Sequence, residues 1–148
     1  MLGMYHIPTV IARHLILELL ERALGEAQEQ GQLPHGSAVT ITVEHPQSPE
    51  HGDFATNLPL KLARSLRLNP LDIADRITPY LRPPEAIERV WVEAPGFINF
   101  SLTPDWLASQ VEVVLREAES FGNTDLGKGE RVQVEFVSVN PTGPIPVG

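Results

Sequence analysis

Three side chains past the middle of the sequence, Trp91, Phe97 and Asn99, have the types and spacing to recognise a nucleobase. An aromatic ring stacks on a splayed-out base, and an amide beside it reads the hydrogen-bonding edge. Whether the three share a face depends on strand register. Arg89-Val90-Trp91-Val92-Glu93 and Phe97-Ile98-Asn99-Phe100-Ser101-Leu102 are β-prone runs joined by Ala94-Pro95-Gly96. A two-residue turn at 95–96 would pair Val92 with Asn99 and Val90 with Ser101, mixing apolar and polar residues on each face. A three-residue turn at 94–96 pairs Val92 with Ile98 and Val90 with Phe100. That register segregates an apolar face and gathers Arg89, Trp91, Glu93, Phe97, Asn99 and Ser101 on the solvent face. Gly96 can take the left-handed conformation such a turn needs. A plainer account also stands: a helix covers the aromatics and Asn99 caps a turn, since most aromatic side chains are core.

Other chemistry-bearing groups are weaker. Residues 55–68 carry Lys61, Arg64 and Arg67 and no acid. At three-residue steps these cations span about a third of a helix circumference. They form either a solvated helix face or a set of phosphate contacts. Gly122-Asn-Thr-Asp-Leu-Gly127-Lys128-Gly129 matches G-x-x-x-x-G-K, but Gly129 replaces the hydroxyl residue that would hold magnesium. It also follows a helical pattern and precedes a strand, the reverse of a phosphate loop, so a linker is expected rather than a small nucleotide hydrolase. His35, His45 and His51 share no metal-ligand spacing, and no metal site is expected. Residues 134–148 read as a strand, then an Asn-Pro and a Thr-Gly-Pro turn. Such a turn delivers the chain to a helix start, where free N–H groups hold phosphate. The sequence given stops at Gly148, where that helix is expected to begin.

The elements that must position these residues follow from periodicity. Residues 8–30 form an amphipathic helix with Val10, Ile11, Leu15, Leu19, Leu20, Ala23 and Ala27 on its apolar face. Residues 38–44 alternate as a half-buried strand. Asp53 suits the N-cap of a helix from about Phe54 to Leu68, although Pro59 moves its start toward Leu58. Asn69-Pro70 opens another helix to about Leu81, and Pro83-Pro84 separates the pair from the hairpin. Pro104 begins a helix to about Ser120 with Trp106, Leu107, Val111, Val114, Leu115 and Ala118 on one face. The order implies an α+β domain, a small antiparallel sheet of three or four strands packed with helices. The expected organisation is a domain at 1–120, a linker at 121–130 and a strand from 131 belonging to another sheet.

At 148 residues and 42% hydrophobic, the chain can bury a real core. It has no cysteine, which excludes disulfides and thiolate metal sites. Residues 1–20 lack a basic leader, and Arg13, His14 and Glu18 break their apolar run, so neither a signal peptide nor a membrane span is expected and the cytoplasm is the default. A net charge of −8 argues against a nonspecific nucleic-acid coat but not against a local site.

Val-Glu-Phe-Val-Ser-Val-Asn-Pro-Thr-Gly-Pro-Ile-Pro-Val-Gly at 134–148 resembles the first catalytic strand and signature loop of arginyl-tRNA synthetases. Two further segments resemble motifs of that family's N-terminal additional domain: Gly52-Asp53-Phe54-Ala55-Thr56-Asn57 and Ala94-Pro95-Gly96-Phe97-Ile98-Asn99-Phe100. The three motifs in order are specific, although each alone is weak. The resemblance implies a domain that touches the D-loop corner of arginine tRNA, with Phe97 and Asn99 against a D-loop base. Trp91 beside them and Lys61, Arg64 and Arg67 on their helix complete the candidate tRNA-contacting set. It also implies that residues 131–148 begin a Rossmann-like catalytic domain, truncated here. Ser138 and Asn140 would face arginine, with Pro141, Thr142 and Gly143 beside the arginine and ATP sites. Pro146, Val147 and Gly148 are what stands of the signature motif, with Pro146 in place of its first histidine. Proline has no donor to offer ATP phosphates. The intact enzyme would need ATP and magnesium, while this chain alone needs no cofactor and is expected to be inactive. The expected partners are arginine tRNA and the remainder of the synthetase. The orphan strand at 131–139 is expected to be disordered, to dock on a sheet edge or to pair between chains. The competing reading is a stand-alone protein-interaction module that kept the fold.

Overall fold

A computed structural model describes residues 9–35, 39–121 and 129–135 of the chain. Helix α1, Thr9–Glu29, lays Ala12, Ile16, Leu19, Leu20, Ala23 and Ala27 into the core. The buried stripe runs through Ile16, and Leu15 is only half-buried, so the apolar face is turned slightly from the expected one. Val10 and Ile11 have side chains outside the described set.

The helix anticipated from Phe54 starts only at Leu58. Phe54–Thr56 is instead a short strand, β1. Helix α2 then covers Leu58–Leu66. Asp53 is therefore not an N-cap. Its N–H donates to the Phe100 carbonyl (2.9 Å) and its Oδ2 accepts from the Leu102 N–H (2.7 Å). The carboxylate thus continues the ladder where a backbone partner gives out. Thr56 takes over the capping role, its Oγ1 accepting from the Leu58 N–H at 3.2 Å. Helix α3, Pro70–Ile77, opens as expected on Asn69, whose Oδ1 accepts from the Leu71 N–H at 2.9 Å. A single 3-10 turn at Thr78–Tyr80 completes it.

Strands β2, Ile87–Glu93, and β3, Phe97–Leu102, form the hairpin. The sheet is antiparallel in the order β1-β3-β2. Val90 pairs with Phe100 and Val92 with Ile98, the three-residue-turn register. Gly96 has φ 144° and lies against Pro70, so no side chain fits there. Ile98, Phe100 and Leu102 face the buried residues of α1, α2 and α3.

Residues 39–44 do not form the expected strand. Glu44 makes one bridge to Ala55, and the rest of the segment is held by side chains. Thr56 Oγ1 donates to the Thr42 carbonyl (2.7 Å), and Lys61 Nζ donates to the Thr40 carbonyl (3.0 Å) and Thr42 Oγ1 (2.9 Å). The alternation was a true record of burial, with Val43 fully buried and Val39 and Ile41 packed on the core. It did not guarantee a ladder.

Helix α4, Pro104–Glu117, ends in a 3-10 turn, and none of its residues is buried. Its apolar face, expected to be core, is exposed at Leu107, Val111, Val114 and Leu115, and Trp106 alone packs on the core. No helix among the described residues is long and apolar enough to cross a membrane.

Candidate nucleic-acid interface

One face of the sheet is spent on the helices. The other meets the loop 44–53, which closes over β3 because Gly52 lets the backbones touch. A Cβ at Gly52 would stand 2.6 Å from the Phe100 carbonyl oxygen and 2.7 Å from the Trp91 ring, and its φ of 85° suits glycine. His45 fastens the start of this loop. Its Nδ1 donates to the Asp53 carbonyl at 2.7 Å, and its ring lies 4.4 Å from that of Phe54.

Between this loop and the hairpin tip lies a cavity of about 410 Å³, large enough for a nucleobase. Phe97 stands at its rim, 36% exposed, and Asn99 lines it at only 1% exposure. The register had placed Asn99 on open solvent face; the overlying loop turns that position into the floor of a cleft. Glu44 and Glu93 also line the cleft. Two carboxylates repel a phosphate and tolerate a neutral base.

Asn99 is held by a group to which sequence reasoning gave no role. Its Nδ2 donates to Glu93 Oε2 at 2.7 Å, and His51 Nδ1 donates to the same oxygen at 2.9 Å. His51 Nε2 faces Glu50 at 3.7 Å. The hydrogen bond from His51 holds the Glu93 carboxyl below its ordinary value of 4.5, against the desolvation that raises it. The charge of His51 and hydrogen bonds from Asn99 and Trp91 lower it further. The signal was in the register: Glu93 sits on the same face as Trp91 and directly opposite Phe97.

The other candidate residues are dispersed. Trp91 pairs with Asn99 across the sheet, but its ring lines a second depression with Gly52, and the Arg89 guanidinium lies 3.9 Å over it. Lys61 reaches the cleft only through Thr42. Arg64 and Arg67 are exposed along α2 and its C-cap and do not line the cleft. Ser138, Asn140, Pro141, Thr142, Gly143, Pro146, Val147 and Gly148 lie outside the described residues, as does most of the linker. Residues 131–135 are exposed and belong to no ladder; the remainder of that expected strand is likewise outside the described set. No cluster of three metal-ligating side chains occurs among the described residues.

A small antiparallel sheet backed by helices, with a base-sized cleft on its far face, defines an α+β domain. Residues 14–102 match the arginyl tRNA synthetase N terminal domain. The arginine–tRNA ligase of Dehalococcoides mccartyi strain CBDB1 is 45% identical over 136 residues, covering 92% of this chain and 24% of that protein. That of Prosthecochloris aestuarii is 46% identical over 109 residues, covering 73% of this chain and 20% of the relative. The crystal structure of the Plasmodium falciparum arginyl-tRNA synthetase shares the fold, with a TM-score of 0.57 at 13% identity over 72% of this chain and 18% of that one. The chain belongs to the arginyl-tRNA synthetase N-terminal domain family. It spans about a quarter of the length of the curated relatives it matches.

Proposed function

We propose that this chain is the tRNA-contacting part of an arginine–tRNA ligase and that its cleft receives one base from the D-loop of arginine tRNA. Phe97 stacks on the base and the Asn99 amide reads its edge. The observation that carries this reading is the pairing of an exposed aromatic rim with an almost fully buried amide in one base-sized cleft. Arg64 on α2 and Arg67 at its C-cap, both exposed, are available to the phosphates outside the cleft. The intact enzyme would join arginine to its tRNA with ATP and magnesium, in the cytoplasm. Residues 1–120 would form the tRNA-contacting domain, 121–130 the linker, and the segment from 131 the start of the catalytic fold. Phe97→Ala is expected to weaken binding of an arginine tRNA transcript by about 1–3 kcal/mol, the size of one base–aromatic stack. A gel-shift at low salt against a D-loop variant of the same transcript measures it.

The competing reading, a stand-alone protein-interaction module, draws on the exposed apolar face of α4. In the synthetase reading that face meets the remainder of the enzyme. NMR shift mapping separates the two. Perturbation by tRNA around Phe97 and Asn99 supports the first, and silence there with response on α4 to a protein partner supports the second.

A further inference from the structure

A side-chain amide presents a donor on one side and an acceptor on the other, and the two can exchange places by a half-turn about χ2. An unconstrained Asn99 could therefore serve a base edge of either polarity. It is not unconstrained. The atom of Asn99 that faces Glu93 lies 2.7 Å from Oε2. An ionised carboxylate accepts hydrogen bonds and cannot donate them. That atom must be the NH2 group. His51 fixes the carboxylate in turn, donating Nδ1–H to the same oxygen at 2.9 Å, and Glu50 stands behind His51. The polarity of the amide is thus dictated by two other residues of the same cleft, Glu93 and His51. Among the described residues nothing donates to Asn99 Oδ1, the atom left to a ligand.

Resting on the D-loop reading above, we infer that Glu93 is a specificity-determining positioning residue: by holding the Asn99 NH2 it commits the cleft to bases that offer an N–H donor to Oδ1. A base whose edge offers only acceptors at that point would meet a lone pair with a lone pair. The cost is that of a buried polar group left unpaired, which is how a polar site rejects a near-isostere. Phe97 has no part in this choice, because every base offers a π-face to a stacking ring. Glu93 lines the cleft as well, and its part in this choice is to hold the Asn99 amide.

The test uses the full chain and ligated arginine tRNAs that carry, at the contacted D-loop position, either a donor-bearing nucleoside or its donor-blocked twin. The pairs are adenosine with N6,N6-dimethyladenosine or purine riboside, and uridine with 3-methyluridine. In the wild type, removing the donor should weaken binding by about five- to tenfold, the worth of one satisfied buried hydrogen bond. In Glu93→Gln the carboxamide can either accept from Asn99 or donate to it, so both polarities become accessible and the preference should shrink to less than about twofold. Phe97→Ala should weaken all members of the series while leaving their ratio intact. Independently of RNA, the Asn99 side-chain amide cross-peak should move in Glu93→Gln and stay in place in the exposed control Glu88→Gln. Full retention of the donor preference in Glu93→Gln would overturn the inference, as would an unmoved Asn99 cross-peak. Absence of any preference in the wild type, with Phe97→Ala still weakening binding, overturns it while sparing the D-loop reading. If Phe97→Ala changes nothing, that reading falls and this inference falls with it.

Discussion

Two amphipathic patterns of this chain, the hairpin and the last helix, met opposite fates. The hairpin 87–102 buries Ile98 and Phe100 completely, and even its outer face is half covered by the loop that Gly52 admits. Helix α4 has an equally legible apolar stripe and leaves Val111 59% and Leu115 74% exposed. A stripe states that a face gains by leaving water, and it does not name what covers it. For the hairpin the cover lies close in sequence, in α1, α2 and α3. For α4 the described residues supply only a root, where the Thr103 N–H donates to the Ala86 carbonyl at 3.0 Å and Trp106 rests on the core.

The contrast is sharpest at Phe100. Its ring is fully buried at the centre of β3. Phe100→Ala should cost about 3–5 kcal/mol, the usual range for emptying an aromatic core site. Chemical denaturation reads that loss as a lower midpoint at unchanged slope. A loss under about 1 kcal/mol would mean that the hairpin is no better packed than α4.

Gly52→Ala should come next. The positive φ costs roughly 1–3 kcal/mol in a residue with a side chain. The new methyl also meets the Phe100 carbonyl, which is backbone and cannot swing aside. Because the loop roofs the cleft, the same change should displace the Glu93–His51 contact. Shifted His51 ring resonances would report it, and unshifted ones would show that the loop is held by His45 instead.

These sites also mark what was legible. The register of the hairpin followed from segregating Val90, Val92, Ile98 and Phe100, because a period of two leaves one acceptable pairing. Strand β1 did not follow, since three residues are too few to alternate and the paired edge of β3 lies far away in sequence. Asp53 looked like a cap because a carboxylate before an apolar run commonly is one. Only the long-range approach of Leu102 shows that it serves the sheet. That Phe97 and Asn99 share a face was readable from the register. Their cleft was not, because its roof is the loop 44–51, which carries no periodic signal. Glu93 was placed on the correct face and left without a task, since the need to orient an amide appears only when the amide is found buried.

Smaller still is the pH response of the cleft. The folded Glu93 carboxyl titrates below 4.5, held there first by the His51 hydrogen bond. A depressed carboxyl contributes stability above its unfolded value and loses that contribution as pH falls through the folded value. The stability difference between the wild type and Glu93→Gln should therefore be greatest above pH 4.5 and should close on further acidification. A difference that persisted into strong acid would show that the variant acts through packing rather than through the charge. The hairpin core, which contains no ionisable group, should be indifferent over the same range.

The smallest effects belong on α4. Leu115→Ala removes a side chain that is 74% exposed, so little buried area is lost. Alanine is also the better helix former. The change should stay within about 0.5 kcal/mol in either direction. Val111→Ala should be neutral or slightly stabilising, because it relieves the χ1 restriction of a β-branched residue in a helix. Both variants can be read by thermal unfolding of the chain alone. A loss above about 2 kcal/mol at either site would break the comparison, because a cost of that size needs a buried side chain. The α4 stripe would then be covered in solution by a surface outside the described residues, and repeating the measurement over a hundredfold range of protein concentration would identify a second copy of the chain as that surface if the loss grew with concentration.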